Sequence, residues 1–109
     1  MDSILLSIKK MLGIAADYKH FDEDIIMHIN SVFMTLNQLG INESVPCILG
    51  EDETWDSVFG DIKNIPAIKT YTYLKVRMVF DPPTSAFVME AMKTQATELE
   101  WRLNVQADN

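Results

Sequence analysis

Apolar residues near the start of the chain recur at the spacing of an α-helix. The apolar positions within residues 3–12 are Ile4, Leu5, Ile8, Met11 and Leu12. Side chains three or four residues apart share one face of a helix. Gly13 follows, and glycine readily takes the left-handed conformation in which helices end. The pattern predicts a short amphipathic helix.

A second, longer helix is predicted from Glu23 to Leu39. Its apolar positions advance in steps of 4, 3, 4 and 3, which keeps them on one face. They are Ile25, Ile29, Val32, Leu36 and Leu39, with Ile26 and Phe33 widening the face. Asp22 is placed to cap this helix and Gly40 to end it. We expect Asn30 and Asn37 to mark its solvent side.

The segment 41–65 breaks the helical pattern with proline, glycine and asparagine residues. Its one short apolar run, residues 47–49, favours a brief extended piece or hairpin. Trp55, Val58 and Phe59 then recur at helical spacing behind three polar residues, which indicates one helical turn. A loop of this length in a small domain commonly serves a purpose, such as reaching a partner.

Residues 66–80 carry two conflicting signals. Alternating threonine and tyrosine residues favour a strand. Pro66 fits the first turn of a helix, and the apolar spacing of 3, 3 and 4 is helical. The residues with that spacing are Ile68, Tyr71, Leu74 and Met78. We predict a helix that ends at the Asp81-Pro82-Pro83 corner, because each proline disfavours helical geometry in the residue before it.

A long final helix is predicted to start behind Thr84 or Ser85 as its cap and to reach about Leu103. Its predicted buried stripe is Val88, Met92, Ala96 or Gln95, Leu99 and Leu103. We expect residues 106–109 to form a flexible tail.

Length and composition indicate one folded domain over residues 1–109. A chain of this length supports a single core. Its content of 48% hydrophobic residues with only 4 Gly and 4 Pro is typical of a globular protein. The predicted fold class is mainly α, a small four-helix domain with at most a minor β element between the second and third helices.

The net charge of −7 is unevenly distributed along the chain. Residues 17–61 carry a net −9, whereas residues 62–80 carry +4. Nucleic-acid binding depends on Lys and Arg side chains that neutralise phosphates, so we expect no sequence-specific nucleic-acid binding. The basic stretch is expected to meet an acidic surface, either in the same molecule or in another copy of it.

No catalytic or metal-binding constellation can be assembled from these residues. Cys47 is the one cysteine, so it has no partner thiol for a disulfide or a zinc site and no basic neighbour to activate it. His20 and His28 lack ligand spacing, and the acidic residues 22–24 and 51–53 lack the alternating ligands of a calcium loop. We expect no enzyme activity, no metal and no cofactor.

The chain shows neither a signal sequence nor a membrane span. Asp2 stands where a signal peptide carries basic residues, and no apolar run approaches the roughly 18–20 residues of a span. We therefore expect synthesis in the cytoplasm, a reducing compartment that suits a lone cysteine, and no binding to membranes.

Five residues are candidates for contact with a partner or a second subunit: Trp55, Phe59, Lys69, Arg77 and Trp101. Large aromatic rings fill partner pockets in binding hot spots. The two bases lie on the predicted basic helix, where an arginine can pair with an acid of a neighbouring copy. The alternatives are that each tryptophan closes the edge of the core and that Arg77 is solvated at the surface.

Three stretches resemble the small head-tail connector, or adaptor, proteins of long-tailed double-stranded DNA bacteriophages. They are residues 75–84 (KVRMVFDPPT), 98–104 (ELEWRLN) and 25–33 (IIMHINSVF). The resemblance spans residues 21–105 and is clearest in the last third. It also implies that residues 66–80 are helical.

The resemblance implies a structural function in the virion. Connector proteins of this kind form a ring, often of about twelve copies, that binds beneath the portal of the filled head. The ring extends the DNA channel and offers a surface to the next connector or to a tail-completion protein. The expected locations are the host cytoplasm during assembly and then the virion neck.

Two other functions fit the composition: a small acidic inhibitor that mimics DNA, and a phage tail-assembly chaperone. Stoichiometry separates them, because only a connector adds symmetrically to a portal ring. For a connector, the charge distribution predicts a head-to-tail contact in which residues 62–80 of one copy meet acids within residues 17–61 of the next.

Overall fold

The computed structural model describes residues 3–41, 47–60 and 64–107. Within these ranges it contains five helices and no strand. They are α1 (Ile4–Leu12), α2 (Asp22–Gln38), α3 (Trp55–Phe59), α4 (Ile65–Phe80) and α5 (Ala86–Ala107). The mainly α prediction is confirmed. The four predicted helices correspond to α1, α2, α4 and α5, and the single predicted turn is α3.

Helix α4 occupies the centre of the fold. It packs against α2 and α5 and also contacts α1, which in turn packs on α2. Its buried residues are Ile68, Tyr71, Thr72, Leu74 and Val76. At 100° per residue these positions spread over more than half of the helix circumference. A helix surrounded in this way lacks a clean polar face, which explains why its sequence gave mixed helix and strand signals.

The predicted core faces of α1 and α2 are largely confirmed. The buried residues of these two faces are Ile4, Leu5, Ile8, Ile25, Ile29, Val32, Phe33 and Leu36. Met11 is an exception, with 40% of its surface exposed. Ser3 caps α1 by accepting a hydrogen bond from the Leu6 N–H at 3.3 Å, and Gly13 ends it in the left-handed conformation (φ +82°).

The start of α2 differs from the prediction. Phe21 precedes the helix and makes no side-chain cap, while Asp22 is the first helical residue. The Asp22 carboxylate does not cap the helix. Its Oδ1 instead lies 2.8 Å from the ammonium nitrogen of Lys9, whose side chain is fully buried. At α5, Ser85 is the cap of the two candidates, because its hydroxyl accepts the Val88 N–H at 3.3 Å.

Asn30 holds the loop after α2 against that helix. Its amide nitrogen donates to the Ile48 carbonyl at 3.1 Å, and its amide oxygen accepts the Ile48 N–H at 2.8 Å. The Asn30 side chain thus forms both a donor and an acceptor hydrogen bond with the Ile48 backbone, as a neighbouring β-strand would. Asn30 is half-buried, so the prediction that it marks the solvent side is corrected.

The β structure expected in residues 41–65 is reduced to one isolated bridge among the described residues. Ser3 pairs with Thr54 in antiparallel geometry, beside a hydrogen bond from the Ile4 N–H to the Glu53 carbonyl at 2.9 Å. No hairpin appears in residues 47–60. The rest of the predicted element lies in residues 42–46 and 61–63, outside the described part of the chain.

Helix α5 is longer and less covered than predicted. Met92, Ala96 and Leu103 are buried and Leu99 is half-buried, but Val88 is 43% exposed. Phe87 and Val88 in the first turn of α5 are both exposed, so Val88 leaves the predicted stripe. Gln106 and Ala107 belong to the helix, and the last two residues of the predicted tail lie outside the described residues.

Candidate assembly surfaces

Trp55 and Phe59 lie in the core. Each is only 2% exposed, and their rings stack with centroids 6.1 Å apart. The indole N–H of Trp55 donates to the Ser7 hydroxyl at 2.8 Å, and Phe33 packs edge-on against Phe59 at 5.2 Å. The prediction that these two rings are available to a partner is therefore corrected. Both rings are part of the core, in agreement with the alternative that Trp55 closes the core edge.

A reciprocal cap fixes the short helix that carries these rings. The Thr54 hydroxyl accepts the Ser57 N–H at 3.0 Å, and the Ser57 hydroxyl accepts the Thr54 N–H at 2.9 Å. The single turn that follows places Trp55 and Phe59 on one face, towards the core. The Lys69 ammonium of α4 lies 5.8 Å from the centre of the Trp55 ring, within reach of a cation–π contact.

The other bases of α4 contact acids of their own chain. The Arg77 guanidinium donates to the Asp81 carbonyl at 2.8 Å and to the Tyr73 hydroxyl at 3.1 Å. The Lys75 ammonium lies 3.9 Å from the Glu100 carboxylate. These contacts match the same-molecule alternative for the basic stretch. An intersubunit contact through Arg77 stays a prediction and would compete with them.

Glu100 also joins α5 to α4 through Tyr71. The Tyr71 hydroxyl donates to the Glu100 carboxylate at 2.6 Å. Burial raises the pKa of Tyr71, and the hydrogen bond and negative charge of Glu100 raise it further. The pair links α4 to α5 by a polar contact, in addition to the buried Met92, Ala96 and Leu103 of α5.

Trp101 is the candidate residue that the structure leaves most exposed, at 67%. It belongs to a stripe on the outer side of α5 whose positions advance in steps of 4, 3, 4, 3 and 4. We call this stripe the α5 ridge; its members, all exposed, are Phe87, Ala91, Thr94, Glu98, Trp101 and Val105. Phe87 is 83% exposed. At 100° per residue the ridge lies opposite the stripe that packs on α4.

A groove on the other side of the fold exposes further apolar surface. It lies between α2 and the loop held by Asn30, and its volume is about 470 Å³. We call it the methionine groove; its lining includes Ile26, Met27, Asn30, Met34, Ile48 and Leu49. Met34 is 64% exposed and Leu49 is 87% exposed. Glu23 adds a carboxylate at the end where α2 begins.

Glu53 fixes the backbone that forms one wall of the groove. Its carboxylate accepts the N–H groups of Leu49 at 2.9 Å and Gly50 at 3.3 Å. The hydrogen bond from Leu49 is the main reason that the pKa of Glu53 lies below its usual range. The loop that forms this wall of the groove is therefore held in place by the hydrogen bonds of both Asn30 and Glu53.

The ridge and the groove lie on different helices. Met27 and Met34 lie on the face of α2 opposite its buried stripe, and the ridge lies on the face of α5 opposite the stripe that packs on α4. Both α2 and α5 pack on α4. The ridge carries a shallow depression of its own, about 520 Å³ in volume, lined by Thr94, Thr97, Glu98 and Trp101.

The described residues offer little for chemistry. No group of three or more His, Cys, Asp or Glu side chains in residues 3–41, 47–60 and 64–107 is placed to hold a metal ion. No helix in the same ranges is long and apolar enough to cross a membrane. The prominent features of this part of the chain are the exposed apolar side chains of the α5 ridge and the methionine groove.

Comparison with known protein families decides the identity of the chain. Residues 4–109 match the family described as "Phage connector protein". The chain belongs to the phage connector protein family. No curated protein and no solved structure gave a significant match. This connector is a structural protein of the phage head-tail junction, which confirms the resemblance seen in the sequence.

Proposed function

We propose that this connector assembles as an oligomeric ring below the portal of the DNA-filled head, extends the DNA channel and presents the surface to which the next connector or the tail attaches. The observation that carries the proposal is the family match over residues 4–109. It favours a connector over the acidic DNA mimic and the tail-assembly chaperone that fit the composition.

The distribution of apolar surface supports assembly with other subunits. Monomeric soluble proteins seldom expose contiguous apolar patches, and large exposed patches mark contact sites. This chain exposes large apolar side chains on α5 (Phe87 and Trp101) and at the methionine groove (Met27, Met34 and Leu49), while the rings predicted to lie in an interface, Trp55 and Phe59, stay in the core. The exposed apolar residues of α5 and α2 are therefore the candidate contact surfaces of the proposed ring.

The acidic balance suits a protein that surrounds moving DNA. A channel wall with negative potential repels phosphates, so the duplex passes without sticking. The net charge of −7 is compatible with that task. The proposed location is the virion neck, after assembly in the host cytoplasm.

A stop codon introduced early in the gene, in the phage that encodes this chain, tests the proposal. Infected cells should then accumulate DNA-filled heads that lack tails and lose their DNA, and wild-type protein supplied from a plasmid should restore tailed particles. The protein itself should be present in purified wild-type particles in multiple copies per portal.

The same experiment separates the alternatives. A DNA mimic would be absent from particles and dispensable for joining heads to tails. A tail-assembly chaperone would be required for tails but absent from the finished particle. Normal yields of tailed, infectious particles without the protein would contradict the connector function.

A further inference from the structure

We propose that helix α1 sets the position of residues 48–50, one wall of the methionine groove, through Glu53. In this arrangement α1 and the segment 47–60 form one cooperative unit, which docks on the rest of the fold as a whole. The inference goes beyond the proposed function, because it concerns the single chain. Its tests use the purified protein, so their outcome does not depend on whether the proposed ring forms.

Four hydrogen bonds to side chains fix the backbone of residues 48–50. Asn30 of α2 makes two of them with Ile48, at 3.1 and 2.8 Å. The Glu53 carboxylate accepts the other two, from the N–H groups of Leu49 at 2.9 Å and Gly50 at 3.3 Å. Ile48 is fully buried, whereas the Leu49 side chain is 87% exposed. The position of the Leu49 and Gly50 backbone therefore depends on where Glu53 lies.

The main chain of Glu53 is joined to the first residue of α1. Its carbonyl accepts the Ile4 N–H at 2.9 Å, and the next residue, Thr54, pairs with Ser3 in the isolated bridge. The first N–H groups of a helix have no partner within the helix, so Glu53 supplies an acceptor that α1 itself cannot. Glu53 thus contacts α1 with its main chain and the groove wall with its side chain.

A buried ring gives the same segment a second attachment to α1. The Trp55 indole N–H donates to the Ser7 hydroxyl at 2.8 Å, and that hydroxyl donates to the Ile4 carbonyl at 3.0 Å. The Trp55 ring is only 2% exposed, so an unpaired indole N–H would be costly there. Because Trp55 and Glu53 are both joined to α1, displacement of α1 also displaces Glu53 and with it the groove wall.

Hydrogen exchange of the purified wild-type chain, followed by NMR at increasing urea concentration, gives the first test. The amides of Ile4, Leu49 and Gly50 and the Trp55 indole N–H should exchange through one opening reaction, with the same free energy and the same urea dependence. A much weaker urea dependence at Leu49 and Gly50 than at Ile4 would contradict the proposal, because the wall would then open by itself.

Ser7→Ala perturbs the unit from the side of α1. The variant removes the acceptor of the Trp55 indole N–H. Exchange of the Leu49 and Gly50 amides should become about tenfold faster, the usual effect of one lost hydrogen bond. Faster exchange at the Trp55 indole with unchanged rates at Leu49 and Gly50 would overturn the proposal. If the variant does not fold, the wild-type measurement decides.

Asn30→Ala perturbs the same unit from the side of α2. It removes both bonds that hold Ile48. Coupling between two elements acts in both directions, so exchange at the Ile4 amide and the Trp55 indole N–H should also rise about tenfold. An increase confined to Ile48 and its neighbours would show that the wall and α1 dock independently.

Lys19→Ala tests the other link between this segment and the start of the chain. The Lys19 ammonium lies 3.2 Å from the Glu51 carboxylate, and both side chains are exposed. Exposed ion pairs contribute little to stability, so this variant should leave exchange at Leu49 and Gly50 unchanged. An increase as large as that from Ser7→Ala would show that the coupling does not run through Glu53.

Tyr71→Phe is the matched control for global stability, because it removes one side-chain hydrogen bond between α4 and α5. Exchange at Leu49, Gly50 and the Trp55 indole should stay within about twofold of the wild-type rates. Equal acceleration by Tyr71→Phe and Ser7→Ala would mean that these groups exchange only when the whole chain unfolds. In that case α1 and the segment 47–60 are not a separate unit, and the proposal is wrong.

Discussion

Lys9 is the residue whose place in the fold most constrains the start of the domain. Its side chain is fully buried, and its ammonium donates to the carbonyls of Ala16 at 3.1 Å and Tyr18 at 2.7 Å. The same nitrogen lies 2.8 Å from Asp22. One side chain thus joins the end of α1, the connector and the start of α2. This burial is not predictable from the local pattern, because a lysine in an amphipathic helix is normally solvated.

Removal of the charge partner should be costly. Asp22→Ala leaves the ammonium of Lys9 buried without its counter-charge, and we expect a loss of about 3 kcal/mol in the free energy of unfolding. Glu23→Ala is the matched control, since it removes an exposed acid from the same first turn of α2 and should cost less than about 1 kcal/mol. Urea denaturation measures both. Equal costs for the two variants would show that the ion pair contributes nothing.

Tyr71 predicts a specific response to alkaline pH. Its raised pKa means that the folded chain holds the phenolic proton to higher pH than the unfolded chain, where tyrosine ionises near pH 10. The stabilisation is therefore complete below about pH 10 and is lost as the pH rises from there through the folded-state pKa. Tyr71→Phe lacks this ionisation.

The free energy of unfolding of the Tyr71→Phe variant should be about 1.5 kcal/mol lower than that of the wild type near pH 8, because the hydrogen bond to Glu100 is absent. The difference between the two proteins should shrink as the pH rises above about 10. A difference that stays constant from about pH 8 to 11 would show that the Tyr71 proton is not held by the fold.

At the scale of the elements, apolar periodicity predicted the helices but not what covers them. Apolar residues spaced three and four apart predicted α1, α2 and α5, because such spacing indicates which residues share one face of a helix. It does not report whether another element reaches that face. Val88 has the right phase for the buried stripe and is still exposed, as is its neighbour Phe87 in the first turn of α5.

Polar tethers were the second feature that local patterns could not predict. Asn30 appeared to face solvent because it stands opposite the apolar face of α2, yet it holds Ile48 across 18 residues of chain. The α5 ridge was in principle visible, since Phe87, Trp101 and Val105 have a common phase in the sequence. Of these three residues, only Trp101 is predicted to be a contact residue, because a common phase alone does not show which face of a helix meets a partner.

Truncation of core residues tests the assigned faces. Leu36→Ala removes a fully buried side chain and should cost about 2–5 kcal/mol. Leu99→Ala should cost less, because Leu99 is only half-buried. Val88→Ala should cost no more than about 0.5 kcal/mol, the level of a surface substitution. Denaturant unfolding measures all three, and a Val88 cost that matches that of Leu36 would show that α5 is covered from its start.

At the scale of the whole molecule, the described residues form a helical body that exposes large apolar side chains on α5 and at the methionine groove. The ion pair between Lys75 of α4 and Glu100 of α5 and the buried rings of α3 lie within the subunit. This division fits a connector, in which identical subunits must fold first and then join in a closed series.

Electron cryomicroscopy of the neck of wild-type particles of the encoding phage tests the account most directly. We predict a closed ring built from copies of this chain directly below the portal. The result that would contradict the central claim is a neck in which the portal meets the tail without any ring built from this chain.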